Sequence, residues 1–328
     1  MEQWASEAAM NELASAYGLR IRAVLPLRSV VGLITDTGKW MCKRYAPTQG
    51  MDRERLIAVA AVKEQLAKSG VGPAYLHTLA GESIWSYEGD PVTVEPWLAG
   101  RHADFSVLSE RIAAIQAVAR LHAARVQSPY VLQHPPTLLQ KLAYRLERAD
   151  EAVQAGRLVG LTEAEWQKWR KYALETLHQL PIRDIADVTN VDRRRGIYCH
   201  RDLAPHNVLI CSGAPARLID FDLSGVETPV YDLHQLFGHI AYAAPGLPDV
   251  QGPMLDAYAR LAPLTQRHQH VLRALDAFPA LLLRELGEAK NARGKRGLRR
   301  AAARILYARE VEERRLADLA RHRRFVVC

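Results

Sequence analysis

The stretch that most constrains this chain is "YCHRDLAPHNVLICSGAPARLIDFDLS", residues 198–224. Short apolar runs that read as buried strands alternate there with polar segments carrying His200, Asp202, Asn207, Asp220 and Asp222. If the three aspartates converge, each pair about 4 Å apart repels by roughly 4 kcal/mol at an effective dielectric near 20. A fold that accepts the pattern must point the carboxylates apart or set positive charge among them. A magnesium ion with a nucleotide answers that need, because Mg²⁺ takes a few oxygen ligands from protein and shares the rest with phosphates. An aspartate leaving the first strand can accept the proton of an alcohol during phosphorylation; Asn207 offers a neutral oxygen and Asp220 a charged one. The stretch therefore fits half of a phosphoryl-transfer site. Taken singly, each of these residues is an ordinary turn former, and only the set carries the reading.

The rest of the chain narrows the setting. At 328 residues there is room for two lobes around a cleft. Four cysteines (Cys42, Cys199, Cys211 and Cys328) show no CxxC spacing, which argues against a disulfide framework or a zinc site and for a reducing compartment. No run of eighteen uncharged apolar residues occurs, and the acidic, amphipathic N-terminus is unlike a signal peptide, so a cytoplasmic protein without a membrane partner is expected. The net charge of +8 is uneven: residues 290–324 carry thirteen Lys or Arg against four acids. Leu298, Ile305, Leu306, Leu316 and Leu319 recur there near helical spacing, and no aromatic residues interleave as a nucleic-acid surface would require. A solvated helix face is expected rather than a nucleic-acid site.

Periodicity divides the chain near Glu95–Gly100. Before it, residues 4–17 read as a helix, Val30–Thr35 and Lys39–Tyr45 as a hairpin across Asp36-Thr37-Gly38, and "MDRERLIAVAAVKEQLAKSGV" as a helix with Leu56, Val59, Val62 and Leu66 on one stripe. "AYLHTL", "ESIWSYEG" and "PVTVEPWL" read as short strands. After it, "FSVLSERIAAIQAVARLHAARV" is helical with Ser109 or Asp104 as N-cap, residues 137–158 and 162–180 give two more helices, and nearly everything beyond Tyr231 is helical. The expectation is an α+β, two-lobed molecule: residues 1–96 form a small sheet-rich lobe and residues 97–328 a larger, mainly helical one.

"HRDLAPHN", followed thirteen residues after Asn207 by "IDF", resembles the catalytic and metal-binding loops of the protein-kinase-like fold. "IDFDLSGVETPVYDL" is similar to the aminoglycoside phosphotransferase and choline kinase group, and "MCKRY", "VEPWLAGR" and "ARLHAAR" most resemble its spore-coat (CotS-type) branch. The resemblance runs over residues 25–245. It implies that Asp202 is the catalytic base or orients the acceptor hydroxyl, and that Asn207 and Asp220 hold Mg²⁺. It further implies that Lys43 meets the α- and β-phosphates of ATP, with Lys39 a competitor on the same hairpin. Glu95, Pro96, Trp97 and Leu98 would form the hinge whose backbone meets adenine, while His200 and Asp232 would support the catalytic loop. His122 reads as a packed histidine.

The departures concern the grip on nucleotide and the acceptor. No Gly-x-Gly-x-x-Gly occurs in "AVLPLRSVVGLI", Ala204 stands where Ser/Thr kinases carry Lys, and Asp222 replaces a glycine. The helix glutamate that usually pairs with the strand lysine has two poor candidates, Glu54 and Glu64, with Glu54 preferred. The implied function is an ATP- and Mg-dependent kinase acting on a hydroxyl of a small molecule. The alternative is a spore-coat-type pseudokinase, located in the coat with coat proteins as partners.

Overall fold

A computed structural model describes residues 5–27, 30–46, 51–124, 126, 137–245 and 251–325. Trp4, Arg125 of "ARLHAAR" and Cys328 lie outside the described residues.

Helix α1 (Glu7–Tyr17) starts where the Ser6 hydroxyl accepts from the Ala9 amide and stops at Gly18, whose φ of +65° is a left-handed C-cap. Strands β1 (Ile21–Pro26), β2 (Val31–Thr35) and β3 (Gly38–Arg44) form an antiparallel meander, and helix α2 (Arg53–Lys68) follows, capped by Asp52. Strands β4 (Trp85–Tyr87) and β5 (Asp90–Pro96) complete a five-stranded sheet in the order β1-β2-β3-β5-β4. One face of that sheet, with Val31, Leu33, Cys42, Val92 and Val94, packs against Ala9, Met10 and Leu13 of α1. The opposite face, by the two-residue alternation of a strand, carries Gly32, Met41 and Lys43. The α2 stripe of Leu56, Val59, Val62 and Leu66 is buried in a core that continues into the second lobe. "AYLHTL" forms no strand. Leu76 gives one bond to the Val94 carbonyl at 2.7 Å, and Thr78 then closes a turn with Gly81 and Glu82 instead of continuing a ladder.

After β6 (Arg101–His102) come α3 (Leu108–Ala123), α4 (Leu138–Gln154), α5 (Glu163–Gln179) and α6 (Ile182–Arg194). The α3 cap is neither expected residue: Val107 occupies it without a side-chain bond, while Asp104 accepts from Ser106. Thr137 and Thr162 build capping boxes with Gln140 and Glu165, which set where α4 and α5 begin. The acidic stretch from Tyr198 onward threads through short strands β7 (Tyr198–Cys199), β8 (Val208–Ile210), β9 (Arg217–Leu218) and β10 (Gly225–Val226), with β10 pairing β7 and the order β6-β8-β9 in a second small sheet. Helices α7 (Pro229–Ala243), α8 (Gln251–Ala259), α9 (Gln266–Leu275), α10 (Ala280–Ala289) and α11 (Gly294–Phe325) complete the second lobe. The molecule is thus a two-lobed, protein-kinase-like fold. Along the basic α11, Arg304 reaches Glu285 of α10 and Arg309 reaches Glu165 of α5, so part of its charge holds helices together, while Arg315 pairs with Glu312 within α11. No helix among the described residues is long and apolar enough to cross a membrane.

Candidate active site

The eight residues between β7 and β8 must hold an open loop in one shape, and Asp232 in the first turn of α7 fixes its start. Its buried carboxylate accepts from the His200 and Arg201 amides, both at 2.7 Å, and from His122 Nε2 at 3.0 Å. Tyr258 in turn lies 2.7 Å from His122 Nδ1, so the imidazole donates to Asp232 and accepts from the phenol. Burial raises the Asp232 pKa, but the hydrogen bonds from His122 and from the His200 amide outweigh it and hold the group below the usual carboxylate range. This bracing is what keeps Arg201 in the left-handed region, φ +66°, a strained place for a side-chain-bearing residue. His122, Cys199 and Asp232 lie within 4.8 Å of one another, yet the carboxylate is already filled by N–H donors, which makes the trio a brace and not a cation site.

His200 spans the two acidic loops. Its Nε2 donates to the Ile219 carbonyl at 2.8 Å while Nδ1 accepts from the Asp202 amide at 3.3 Å, and its ring lies 4.8 Å from that of Phe221. The Ile219 amide bonds the Asn207 carbonyl at 3.0 Å, so the loop bearing Asp220 is tied to the loop bearing Asp202. Asn207 Nδ2 donates to the Asp202 carbonyl at 2.8 Å and to its Oδ2 at 3.2 Å; Gln235 Nε2 approaches Oδ1 at 3.4 Å. Asp202 is therefore held from two sides, by Asn207 and by a residue of α7.

Across the cleft, Lys43 Nζ lies 2.5 Å from Asp222 Oδ2 and 3.3 Å from Asp220 Oδ1. Burial pushes the ammonium down, but the two carboxylates outweigh that and raise it above an ordinary lysine. Tyr45 fills the other oxygen of Asp222 at 3.0 Å. The expected glutamate partners do not take part: Glu54 is exposed at the start of α2, and Glu64 bonds His77 at 2.9 Å. Instead α2 turns cations inward. The Arg55 guanidinium grips the Asp222 carbonyl, and Lys63, 2% exposed, pairs with Glu95 over the Tyr75 ring, 4.0 Å away. Lys39 is exposed.

The expected hinge has its own geometry. The Trp97 amide donates to the Lys39 carbonyl at 2.9 Å, and the Val94 carbonyl is taken by Leu76. Antiparallel alternation then leaves the Pro96 carbonyl and the Leu98 amide on the edge away from β3. The Trp97 ring lies on the cleft face of the sheet, so close to Gly32 that a Cβ there would stand 2.5 Å from it.

The structure thus gathers Lys43, Asp202, Asn207, Asp220 and Asp222 around one cleft, and places Asp232 and His200 behind it. Sequence reasoning missed Tyr45, Lys63, His122 as a partner of Asp232, and Gln235. Two of these carried a usable signal: Tyr45 is two residues from Lys43 on the same strand face, and Gln235 is three from Asp232 on one helix face.

A sheet lobe over a helical lobe, with a lysine facing a loop of oxygen donors across the cleft, defines the kinase-like class. The chain belongs to the phosphotransferase enzyme family (APH), whose profile matches residues 28–275. Solved structures share the fold. An aminoglycoside phosphotransferase from Alicyclobacillus acidocaldarius superposes with a TM-score of 0.70 at 18% identity, over 94% of both chains. A microcompartment-associated aminopropanol kinase gives 0.69 at 16% identity, over 95% of this chain and 98% of that one. Amicoumacin kinase hAmiN, in complex with AMP-PNP, Ca²⁺ and Ami, gives 0.64 at 14% identity, over 94% of both. No curated protein matches the sequence.

Proposed function

We propose that this protein transfers the γ-phosphoryl group of ATP to a hydroxyl of a small molecule. The observation that carries the reading is the convergence of Lys43, Asp202, Asn207 and Asp220 from three separate chain segments on one cleft. Membership of a phosphotransferase family and the nucleotide complex of a structural relative support it.

Asn207 and Asp220 suit Mg²⁺. The Asn207 amide nitrogen is spent on Asp202, which leaves its oxygen for a ligand, and Asp220 has one carboxylate oxygen outside its contact with Lys43. Both are hard oxygen donors. When bound, the ion would neutralise phosphate charge. Asp202, held by Asn207 and Gln235, would orient the acceptor hydroxyl and take its proton as the oxygen bonds the γ-phosphorus and the bond to the β-phosphate oxygen breaks, releasing ADP. Lys43, kept charged by Asp222, would bind the α- and β-phosphates. The Pro96 carbonyl and Leu98 amide would meet adenine, with the Trp97 ring beside it. Little covalent work falls to the protein, so catalysis rests on positioning and charge.

Asp202→Asn tests the reading. Turnover with an accepted hydroxyl substrate should fall about 10²- to 10⁴-fold, while the thermal shift given by Mg²⁺ and ATP persists. Full activity in the variant would overturn it. The second reading is a spore-coat-type protein that keeps the fold without chemistry. It draws on the lack of a helix glutamate at Lys43, and a wild-type protein that neither binds nor turns over nucleotide would favour it.

A further inference from the structure

The two sides of Asp202 differ in charge. On the Asn207 side lie Lys43, Asp220 and Asp222, where acids outnumber the cation. On the Gln235 side the polar groups are basic. Lys141 and Arg145 stand four residues apart on one face of α4, and Arg284 of α10 approaches from across, within 3.4 Å of His239 on α7. Lys141 Nζ lies 3.4 Å from the Arg201 carbonyl, in the backbone next to Asp202, and 4.4 Å over the Tyr231 ring.

These cations lack carboxylates to match them. Among the described residues Lys141 and Arg145 form no ion pair. Of the two acids that act on Lys141, Asp232 is filled by three N–H donors, and Asp202 is held by Asn207 and Gln235. Glu312, which acts on Arg145 from a distance, is occupied by the Leu281 amide and Arg315. Arg284 does have Glu285, but Arg304 shares that carboxylate. Lys141 and Arg145 are half-buried, neither sealed in the core nor fully exposed. Burial and the neighbouring guanidinium groups of Arg145 and Arg201 lower Lys141 to about 7 despite Asp202 and Asp232, so the charges present do not fully offset the cost of the ammonium there. An exchangeable anion would. His239, pushed to about 3 by burial and the same cations, stays neutral and adds no charge of its own.

We propose that the acceptor carries, besides the hydroxyl to be phosphorylated, an oxyanion group that docks on Lys141 and Arg145 with Arg284 facing it. This rests on the phosphotransferase reading and specifies its substrate class: hydroxylated phosphates or carboxylates, not cationic amino sugars or amino alcohols. A polycationic acceptor would meet like charge at close range, which disfavours it strongly.

The test uses the full chain with ADP and Mg²⁺ and four small probes: glycerol 3-phosphate, glycerate, glycerol and ethanolamine. Glycerol 3-phosphate, glycerate or both should raise the melting temperature saturably, and which of them does so tells phosphate from carboxylate; glycerol and ethanolamine should not. Lys141→Met and Arg145→Met should each weaken the anion about tenfold or more, the usual effect of losing a charge-assisted bond. Both variants should keep the wild-type shift with ADP and Mg²⁺, which shows them folded. Equal anion response in variants and wild type, absence of any anion response, or preference for ethanolamine would each overturn the proposal. So would variants that lose affinity for ATP but not for ADP, because the cations would then serve the γ-phosphate. If anions bind at these residues while no nucleotide binds, the anion pocket stands and the phosphotransferase reading falls.

Discussion

At the residue scale, the anchor of Lys43 decides how the nucleotide side of the cleft works. A kinase of this fold usually holds its strand lysine with a helix glutamate, and here α2 presents Arg55 and Lys63 in that region. Asp222, two residues beyond Asp220, takes over: one oxygen faces Lys43 and the other Tyr45, while Arg55 grips the backbone carbonyl of the same residue. The anchor therefore rides on the loop bearing Asp220 and not on the helix. Asp222→Asn should weaken Mg²⁺–ATP about tenfold to a hundredfold, the effect of losing a hydrogen bond between charged groups. Glu54→Ala and Glu64→Ala should bind nucleotide as the wild type does, since neither residue reaches Lys43. Calorimetric titration of the three variants checks this. Unchanged affinity in Asp222→Asn would remove the residue from the role.

At the element scale, α2 is fastened to the rest of the cleft through buried charge. Lys63 interrupts an otherwise apolar neighbourhood of Val59, Val62 and Leu66, with Glu95 of β5 as its ion-pair partner and the Tyr75 and Phe221 rings around it. Removing one member of such a pair leaves the other charge uncompensated, so Lys63→Met should destabilise the protein by about 3–5 kcal/mol, and adding Glu95→Gln should recover much of the loss. Urea denaturation of the single and double variants measures the coupling; equal losses in both would show that packing, not charge, is at stake. The same pair marks the limit of what periodicity tells. The β2–β3 hairpin, the α2 stripe and the threonine starts of α4 and α5 were legible because their determinants are local: a turn, a repeat, a cap. Nothing local marked Lys63, because its partner is 32 residues away across the sheet. Helix α6 was not resolved as a helix of its own, since its buried residues Ile185, Val188, Thr189 and Asp192 mix apolar with polar groups that only tertiary contacts satisfy. The catalytic block was legible as a set because its residues lie within one stretch, whereas Gln235, Lys141 and Arg145 come from helices on either side of it.

At the scale of the whole molecule, the second lobe should weaken in mild acid through the helix that braces the catalytic loop. His234 lies in α7 two residues after Asp232, its Nε2 buried with no hydrogen-bond partner among the described residues. Burial, reinforced by Arg145, Arg315 and Lys141, lowers it from 6.5 to about 3. An unfolded chain binds a proton at this histidine below pH 6.5 that the folded chain refuses until about pH 3, so stability falls as pH drops through that window. At pH 5 one such group lowers stability by about 2 kcal/mol, and His239, displaced the same way, adds a similar amount. Asp232, also lowered, acts with the same sign but only below its ordinary value of 3.8, and Lys43, raised, loses its contribution only as pH climbs past its folded value above 10.5. The interval from pH 6.5 to 5.5, above the range in which Glu110, Glu151 and Glu165 with their lowered values begin to act, therefore isolates the histidines. Melting temperature should decline steadily across it in the wild type and roughly half as steeply in His234→Gln. An unchanged slope in the variant would place the acid sensitivity elsewhere. Because α7 also carries Asp232 and Gln235, the groups that hold the catalytic loop and Asp202, nucleotide-dependent turnover should decline over the same interval and not at the much lower pH where carboxylates titrate.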